Sequence, residues 1–371
     1  MSDSRSEHFD YLTDPASLAD WLGACEPAAP LALDTEFERQ RTYFAQLCLV
    51  QIACAERIAL LDTLALDDLE PLAGILADPA RRKLLHAARQ DLEVLHFAGV
   101  AIAAPLVDTQ IAAALAGFDE QIGYAELVQR VLGITLDKSQ TRTNWRQRPL
   151  SALQMHYAAD DVRHLAALDT ALGERLAALG RTAWLTEECR ELSAPALLDP
   201  PVEDAWQRVK GLAAVDGAGF ARGVALARWR ERRARERDLP RGWVLKDAEI
   251  LALAGAGPCS RAELAAVLTD NPAFVRKHAD TVLELMRVGL ADDDPARGAQ
   301  PGGPPSVADR QRAKACAARV RARAAELGIG ASLLLTRRDI ERLVAGQVPS
   351  RAAAGWRAPL LADVVDEFGS P

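Results

Sequence analysis

The chain has 371 residues, too many for one ordinary hydrophobic core, and a usual domain size of about 150 residues predicts two or three domains. Hydrophobic residues make up 49% of the chain and charged residues 26%, the balance of a soluble globular protein. The net charge of −8 argues only weakly against a nucleic-acid partner, because a local basic patch can lie on an acidic protein.

The sequence shows no signal for export or for membrane insertion. No run of about 18 apolar residues is present, and the N-terminus MSDSRSEHFDYLTD is polar and acidic, without the apolar core of a signal peptide. The six cysteines are scattered without a CxxC pair. We therefore expect a cytoplasmic protein with reduced thiols and no membrane partner.

The first part of the chain alternates between strand and helix patterns. The apolar runs LALDTEF, LCLVQIA and RIALLDT predict three strands that begin an antiparallel sheet. A helix pattern (DDLEPLAGILAD), a strand (KLLHA), a helix (ARQDLEVLHFAG) and a strand (PLVDT) follow, and the pattern is helical from QIAAALAG onward. Strands mixed with crossover helices predict an α/β fold, a mixed sheet flanked by helices, over residues 1–192.

Two stretches are typical of linkers. LSAPALLDPPVEDA (192–205) is rich in proline and acid, and ADDDPARGAQPGGPPS (291–306) combines proline, glycine and aspartate without a hydrophobic period. The segments that they delimit, 203–290 and 306–371, suit the helical period of 3.6 residues. We expect each of them to form a small all-α helical bundle.

Two acidic residues, Asp34 and Glu36, interrupt the first apolar strand. Alternate side chains of a strand share a face, so the two carboxylates would crowd one side of the sheet. Like charges that close repel, and burying each one costs several kcal/mol unless something positive lies between them. The pattern therefore predicts a positive partner for the pair.

Three further residues are candidates for the same cavity. Asp91 lies in the first turn of a helix that follows a strand, at the end where open α/β sheets place their sites. Asp161 lies on a long helix, and Tyr157, four residues before it, shares its face. Four carboxylates and a phenol, without paired cysteines or an obvious histidine ligand, suit Mg²⁺ or Mn²⁺ rather than zinc. Two such divalent cations about 3.5–4 Å apart can clamp the attacking and leaving oxygens of a phosphoryl displacement.

The motifs around these residues resemble one enzyme superfamily. LDTEF with RTYFAQLCLVQIA, LLHAARQDLEVL and YAADDV occur in that order, with PLVDTQIAAALAG and YAELVQRVLGITLDKSQTRTNWRQRPL between the second and the third. This part of the chain resembles the DEDD exonucleases of the tyrosine type and, within them, the ribonuclease D family. One Asp-x-Glu is weak evidence, whereas three motifs in family order are specific.

The resemblance implies a ribonuclease H-like sheet and hydrolysis with two metal ions. It implies that Asp34 bridges both ions, that Glu36 and Asp161 complete the site of the catalytic ion, and that Asp91 holds the second ion largely through water. It also implies that Tyr157 orients the attacking water and that a 3′-terminal nucleoside 5′-monophosphate leaves, without a covalent protein intermediate.

Each of these residues also has a purely structural alternative. Asp34 can cap a turn, Glu36 can lie at an exposed edge, and Asp91 can be a first-turn acid favoured by the helix dipole. Tyr157 can be a core residue, and Asp161 can be a solvated helix position. Together and in family order, the five residues favour the catalytic interpretation.

Three neighbours of the candidate site are interpreted differently. His156 has the spacing to Asp161 of the histidine-type branch of the superfamily, but five positions turn a side chain away by about 140° on a regular helix. Tyr157 is therefore favoured, with His156 as the lesser candidate. Asp160 faces about 100° away from Asp161, and Asp108 in PLVDT is expected to be an N-cap.

The segment LDKSQTRTNWRQRPL (136–150) combines cations with an aromatic residue just before the candidate catalytic helix, which suits single-stranded nucleic acid. Lys138, Arg142 and Trp145 are candidate substrate contacts, although Trp145 can also anchor a basic loop to the core. Phe37, beside the acidic pair, is a further candidate for stacking on the terminal base.

The second segment resembles the helical HRDC domain shared by helicases and ribonuclease D. The third resembles a diverged second copy, because of LLLTRRDIERLVAG and the Trp-Arg pair near its end. Six arginines concentrate in one predicted helix of the second segment: Arg228, Arg230, Arg232, Arg233, Arg235 and Arg237. Such a run is usually a solvated face, and it is also a local basic patch for nucleic acid.

The sequence thus predicts a metal-dependent 3′–5′ exoribonuclease whose helical domains position structured RNA. The resemblance points to tRNA precursors with 3′ extensions as the substrate, and no obligate protein partner is evident. Two alternatives stay open. One is a DNA exonuclease of repair with the same site, because sugar preference depends on one 2′-hydroxyl. The other is a non-catalytic RNA-binding scaffold that retains the fold.

Overall fold

The computed structural model describes residues 8–137, 143–215, 217–291, 293–298 and 306–369. The chain forms two compact units. The first consists of Met1–Glu38, Ala45–Leu198 and Val307–Pro371, and the second of Arg39–Phe44 and Asp199–Ser306. The chain therefore enters the second unit twice, first through a short segment that joins two strands of the first unit.

A mixed six-stranded sheet forms the centre of the first unit. Its strands are β1 Asp10–Leu12, β2 Leu31–Glu38, β3 Gln46–Cys54, β4 Arg57–Leu61, β5 Lys83–Leu85 and β6 Leu106–Asp108. Their order is β1-β4-β3-β2-β5-β6, with antiparallel pairing among β2, β3 and β4 and parallel pairing at both sides. The predicted fold class is confirmed. The short edge strand β1 was not predicted, because three residues are too few to show alternation.

Helices cover both faces of this sheet. They are α1 Pro15–Gly23, α2 Glu70–Ala77, α3 Arg89–Phe97, α4 Thr109–Leu115, α5 Tyr124–Leu132, α6 Ala152–Arg163, α7 Leu165–Ala178, α8 Thr182–Leu192 and α9 Pro195–Leu198. The core on one face includes buried residues of α1, α2 and α3, and the core on the other face includes buried residues of α4 to α8. Ala32 of β2 belongs to the core on the second of these faces, and Asp34 and Glu36 follow it on the same side of the strand.

Beyond the segment Arg39–Phe44, the regular elements that the structure describes in the second unit are all helices. Its α-helices are α10 Gly217–Arg237, α11 Arg241–Val244, α12 Asp247–Ala256, α13 Arg261–Val267, α14 Pro272–Val288 and α15 Pro295–Gly298, preceded by 3₁₀ helices at Val202–Arg208 and Leu212–Ala214. Its core is separate from those of the first unit. The two predicted linkers contain short helices, and Asp294 in the second of them is ion-paired with Arg228 of α10.

The short segment Arg39–Phe44 is held within the second unit by a polar network around the buried Glu231. The hydroxyl of Tyr43 donates a hydrogen bond to Glu231 Oε1 (2.7 Å) and accepts hydrogen bonds from Arg235 Nε (3.0 Å) and Arg241 Nη2 (2.9 Å). The backbone N–H groups of Tyr43 and Phe44 donate to Asp238 Oδ1 (2.9 and 3.0 Å). The segment therefore has specific side-chain and backbone partners.

The C-terminal segment is also helical, as predicted, and packs within the first unit. Its helices are α16 Val307–Leu327, α17 Ala331–Leu334, α18 Arg337–Val344, α19 Ser350–Ala353 and α20 Ala358–Phe368. Trp356 stacks on Trp184 of α8, with ring centroids 4.2 Å apart. Arg357, which is 2% exposed, donates two hydrogen bonds to Glu188 of α8 (2.5 and 2.8 Å). The chain forms two compact units, with the C-terminal segment in the first of them. The division into three separate domains stays a prediction.

No helix in the part of the chain that the structure describes is long and apolar enough to cross a membrane. All six cysteines are free, and five of them are buried. The buried cysteines act as small core residues.

Candidate active site

The strand β2 places two acids on one face of the sheet. Leu31 and Leu33 belong to the core beside α1, α2 and α3, whereas Ala32 belongs to the core on the opposite face. Asp34 and Glu36 continue the row of Ala32, because alternate residues of a strand share a face. The parallel pairing of β5 with β2 is at Leu31 and Ala32, near the start of the strand. The two acids lie beyond that pairing, where other elements can approach them.

The helix α6 presents a tyrosine and a third acid to this face. It begins with a capping box, in which Ser151 Oγ accepts from Gln154 N (3.2 Å) and Gln154 Oε1 accepts from Ser151 N (3.0 Å). Tyr157 and Asp161 lie one turn apart on the helix, close enough for the charge of Asp161 to raise the pKa of the tyrosine hydroxyl. The predicted i, i+4 arrangement is therefore present.

Three of the predicted acids converge. One carboxylate oxygen from each of Asp34, Glu36 and Asp161 lies within 4.8 Å of the other two. No ion pair within the described residues joins any of the three to a lysine, arginine or histidine. Hard carboxylate oxygens at this separation are the ligand set that divalent cations such as Mg²⁺ prefer, so these residues fit a divalent metal ion.

Asp91 lies beside this group, outside the set of three. It is 7% exposed and accepts a hydrogen bond of 2.5 Å from Thr35 Oγ1 on β2. The turn before it is fixed by Asp108, whose carboxylate accepts from the backbone N–H groups of Ala87 (3.0 Å) and Ala88 (2.9 Å). Asp108 also accepts from the first residues of α4, which confirms its predicted role as an N-cap.

Burial and mutual repulsion disfavour the charged form of every acid in this group. Burial, followed by the charges of Asp161 and Asp91, raises the pKa of Glu36 to about 9. Burial raises the pKa values of Asp91 and Asp161 to about 7. The pKa of Asp34 lies well above its usual range because of burial, followed by the charge of Asp91. A divalent cation would reverse this balance, since it favours the ionised form of each ligand.

Tyr157 stays a proton donor in this environment. Burial, followed by the charge of Asp161, raises the pKa of its hydroxyl. Trp145 packs beside it, with ring centroids 6.3 Å apart, and is only 4% exposed. Burial of Trp145 is what we expect if this residue anchors the basic loop to the core, the alternative interpretation from the sequence. A substrate contact by Trp145 stays a prediction.

The other residues singled out from the sequence lie in different surroundings. His156 is exposed, and its ring packs edge-on against Phe9, 5.3 Å between centroids. Asp160 accepts a hydrogen bond from Arg163 (2.8 Å). Phe37 follows a β-bulge and packs against the core beside α1, α2 and α3. The predicted substrate contacts Lys138 and Arg142 lie outside the described residues.

Thr35 and Tyr124 support the site but were not predicted from the sequence, and Gln51 lies on the strand next to Asp34. Thr35 binds Asp91, and Tyr124 bridges the end of α6 by donating to Asp160 O (3.0 Å) and accepting from His164 N (3.1 Å). Gln51 is the cross-strand partner of Asp34 and is fully buried, and its amide has no hydrogen-bond partner among the described residues. A glutamine inside the apolar run LCLVQIA was the available signal.

Comparison with known proteins identifies the family. Residues 9–177, which include all five candidate catalytic residues, match the family model described as a 3′–5′ exonuclease, and residues 221–286 match the HRDC domain. Ribonuclease D of Xanthomonas oryzae pv. oryzae is 37% identical over 353 residues, which are 95% of this chain and 96% of the relative. The chain belongs to the ribonuclease D family.

Further members of the ribonuclease D family agree with this assignment. Ribonuclease D of Pseudomonas paraeruginosa is 40% identical over 276 residues, 74% of this chain and 73% of the relative. The crystal structure of Escherichia coli RNase D matches with a TM-score of 0.85 and 33% identity, over 97% of this chain and 98% of that one. The protein is accordingly a hydrolase, a 3′–5′ exoribonuclease that depends on divalent metal ions and acts on RNA.

Proposed function

We propose that the protein removes nucleotides one at a time from the 3′ end of RNA by hydrolysis with two divalent cations, Mg²⁺ or Mn²⁺, and releases nucleoside 5′-monophosphates. The observation that carries this proposal is the convergence of Asp34, Glu36 and Asp161 within 4.8 Å. Their side chains are partly withdrawn from water and have no cation of the protein in an ion pair with them among the described residues. Such a group suits positive charge from outside the chain.

Different residues of the chain would hold the two metal ions and orient the attacking water. Asp34, Glu36 and Asp161 would hold the catalytic ion, and Asp91, oriented by its bond to Thr35, would hold the second. When bound, the two cations act as Lewis acids that acidify water and neutralise charge on the phosphate. Tyr157 keeps its proton, and its hydroxyl, one turn from Asp161, would orient the attacking water through a hydrogen bond.

The proposed substrates are structured RNAs, in particular tRNA precursors with 3′ extensions. The E. coli relative is described as an exoribonuclease involved in structured RNA processing. Both chains contain the exonuclease fold followed by helical segments along nearly their full length, which supports a shared class of substrate.

The test is digestion of a tRNA that carries a 3′ extension by metal-stripped protein to which Mg²⁺ or Mn²⁺ is returned. We expect stepwise shortening and nucleoside 5′-monophosphates, identified by mass. Internal cuts or cyclic phosphates would contradict the proposed mechanism. Equal or faster digestion of a matched single-stranded DNA would favour the alternative of a DNA exonuclease.

Two adjacent acids of α6 provide a matched pair of variants for the same assay. Asp161→Asn removes a member of the acidic group and should abolish hydrolysis while RNA binding persists. Asp160→Asn removes an equal charge one residue away, where the carboxylate binds Arg163, and should retain most activity. Equal loss in both variants would contradict the assignment of Asp161 as a ligand.

A further inference from the structure

Gln51 of β3 is a polar side chain enclosed in an apolar core. It is 0% exposed, and neither its amide nitrogen nor its amide oxygen has a hydrogen-bond partner among the described residues. An amide in these surroundings carries a free-energy penalty, because it has lost its bonds to water without gaining others. Most buried polar groups in folded proteins are paired, so Gln51 requires an explanation.

The neighbours of Gln51 on its face of the sheet are apolar, with one exception. Leu49 and Ala53, two residues away on β3, share that face and belong to the core beside α4 to α8. Leu60, the cross-strand partner on β4, belongs to the same core. The cross-strand partner on β2 is Asp34. The carboxylate of Asp34 is therefore the polar group that the register of the sheet places beside the amide.

The separation between Gln51 and Asp34 suits a direct hydrogen bond. Directly opposite residues of an antiparallel pair share a face, with their Cβ atoms about 4.5–5.5 Å apart, and a glutamine side chain can span that gap. Its amide nitrogen is a donor, whereas an ionised carboxylate only accepts. Because a carboxylate has two oxygens with several lone pairs, Asp34 can accept from an amide and ligate a cation together.

Helix α6 encloses this place from above. It packs on β2, β3 and β4, and its residues Ala158, Ala159 and Val162 are buried in the same core as the neighbours of Gln51. The same helix carries Asp161, which joins Asp34 in the acidic group. The amide therefore lies between the sheet and the catalytic helix, where apolar side chains keep water away.

We propose that Gln51 is a positioning residue for the metal site: its amide nitrogen donates a hydrogen bond to the carboxylate of Asp34 while that carboxylate holds a divalent cation. A hydrogen bond of this kind fixes the orientation of a ligating carboxylate and commonly contributes about 10- to 100-fold to metal affinity. The role rests on the proposed function, because it requires a metal ion at Asp34. It parallels the bond from Thr35 to Asp91.

The first test measures metal affinity directly. Mn²⁺ is titrated into full-length, metal-stripped protein, and the electron paramagnetic resonance signal of free Mn²⁺ gives the dissociation constant. Gln51→Met keeps an unbranched side chain of similar length that cannot donate, and it should weaken Mn²⁺ binding by about tenfold. Gln51→Leu is a second apolar replacement and should give a similar loss. Unchanged dissociation constants in both variants would overturn the proposal.

The second test separates positioning from a purely structural role. Replacing an unpartnered amide by an apolar group of similar shape should not destabilise the protein, so Gln51→Met in a chelator should melt at or above the temperature of wild type. Mn²⁺ should then raise the melting temperature of the variant less than that of wild type, because the variant binds it more weakly. An equal rise in both proteins would identify a structural residue and overturn the proposal.

The matched control removes another unpartnered polar group from the same unit. Thr63 lies just after β4, and its hydroxyl has no hydrogen-bond partner among the described residues. Thr63→Val should leave the dissociation constant for Mn²⁺ unchanged. A loss of affinity as large as that in Gln51→Met would show that a general change in the core lowers metal affinity, and it would overturn the bond to Asp34.

A double-mutant cycle tests whether Gln51 acts through Asp34. Asp34→Asn should weaken Mn²⁺ binding by itself, and Gln51→Met should add little to that loss, because the two residues are proposed to act as one pair. A full additional loss in the Asp34→Asn background would mean that the amide acts on another group, or on the ion itself. That result would overturn the proposal.

The behaviour of wild type distinguishes failure of this inference from failure of the proposed function. A wild type that binds Mn²⁺ and shortens RNA from its 3′ end, beside a Gln51→Met variant of equal Mn²⁺ affinity, would overturn the role of Gln51 and leave the proposed function intact. A wild type that binds no Mn²⁺ would contradict both.

Discussion

Two glutamates, one in each unit, face opposite electrostatic surroundings. Glu231 in the helical unit is 1% exposed and is ion-paired with Arg208, Arg235 and Arg241. Despite burial, hydrogen bonds from Arg241 and Tyr43 and the charges of the arginines lower its pKa to about 2. Glu36 in the exonuclease domain lies beside Asp34 and Asp161 and has no ion pair with a basic residue in the part of the chain that the structure describes, and burial raises its pKa to about 9.

The comparison distinguishes a structural carboxylate from one reserved for chemistry. A buried charge is stable only if its partner is nearby, and the fold supplies Glu231 with three guanidinium groups. The fold supplies Glu36 with no cation among the described residues and places Asp34 and Asp161 beside it. The acidic site is therefore an incomplete ion network, which external divalent cations would complete.

The largest expected effect comes from Asp34, the acid whose pKa is raised by all three others. Asp34→Asn should lower the rate constant of RNA hydrolysis by at least about 1,000-fold, because the metal ions supply several kcal/mol of transition-state stabilisation. Steady-state digestion in Mg²⁺ measures the loss, and anisotropy in a chelator should show RNA affinity within about threefold of wild type. A variant that still turns over at the wild-type rate would refute the role of the acidic group.

Next in size is the removal of the charge from Glu231. Glu231→Gln leaves three arginines around a neutral amide and should lower the free energy of unfolding of the helical unit by about 3 kcal/mol, measured by urea denaturation. The folded pKa lies below the ordinary value, so this stability is present above about pH 4.5 and is lost as the pH falls toward 2. The difference between variant and wild type should shrink over that range. Glu236→Gln, in an exposed pair, should cost under about 1 kcal/mol.

A smaller effect is expected from the phenol of α6. Tyr157→Phe removes the hydroxyl that lies one turn from Asp161 and should reduce hydrolysis by about 10- to 100-fold, since the acidic group itself remains. His156→Ala, on the neighbouring position of the same helix, is the control and should cleave RNA like wild type. The reverse ranking of the two variants would favour the histidine-type mechanism.

The smallest effect concerns stability without metal. The folded pKa of Glu36 is raised, so its stabilising contribution is present below about pH 4.5 and is lost as the pH rises toward about 9. Glu36→Gln should therefore melt about 3 °C or more above wild type at about pH 8 in a chelator, and the gap should close at about pH 5. Added Mg²⁺ should raise the melting temperature of wild type more than that of the variant. Equal melting temperatures of wild type and Glu36→Gln at both pH values would contradict the contrast between the raised pKa of Glu36 and the lowered pKa of Glu231.

The sequence was sufficient to predict the strand and the helix that carry the site, because the spacing of residues along one element determines which side chains share a face. Asp34 with Glu36 on a strand, and Tyr157 with Asp161 on a helix, follow from periods of two and of about 3.6 residues. The bond from Thr35 to Asp91 could not be predicted in this way. It joins residues 56 positions apart, and its existence depends on how α3 is placed after β5.

Long-range packing supplies contacts that the sequence does not reveal. The partners of the polar segment Arg39–Phe44 lie nearly 200 residues later in the chain. In the C-terminal segment, whose status as a separate domain stays a prediction, Trp356 and Arg357 contact Trp184 and Glu188 on α8. Neither set of contacts could be predicted from a local sequence pattern, because the sequence contains many aromatic and acidic residues that could be the partner.

The double entry of the chain into the helical unit has a consequence for deletion experiments. A fragment that ends at Leu198 would retain Tyr43 and Phe44 but lose Glu231, Arg235, Asp238 and Arg241, which bind them. The loop that loses its partners follows β2, the strand of Asp34 and Glu36, and leads into β3. Loss of activity in such a fragment would therefore not by itself assign a catalytic role to the helical unit, because the deletion also removes the contacts that hold the connection between these two strands.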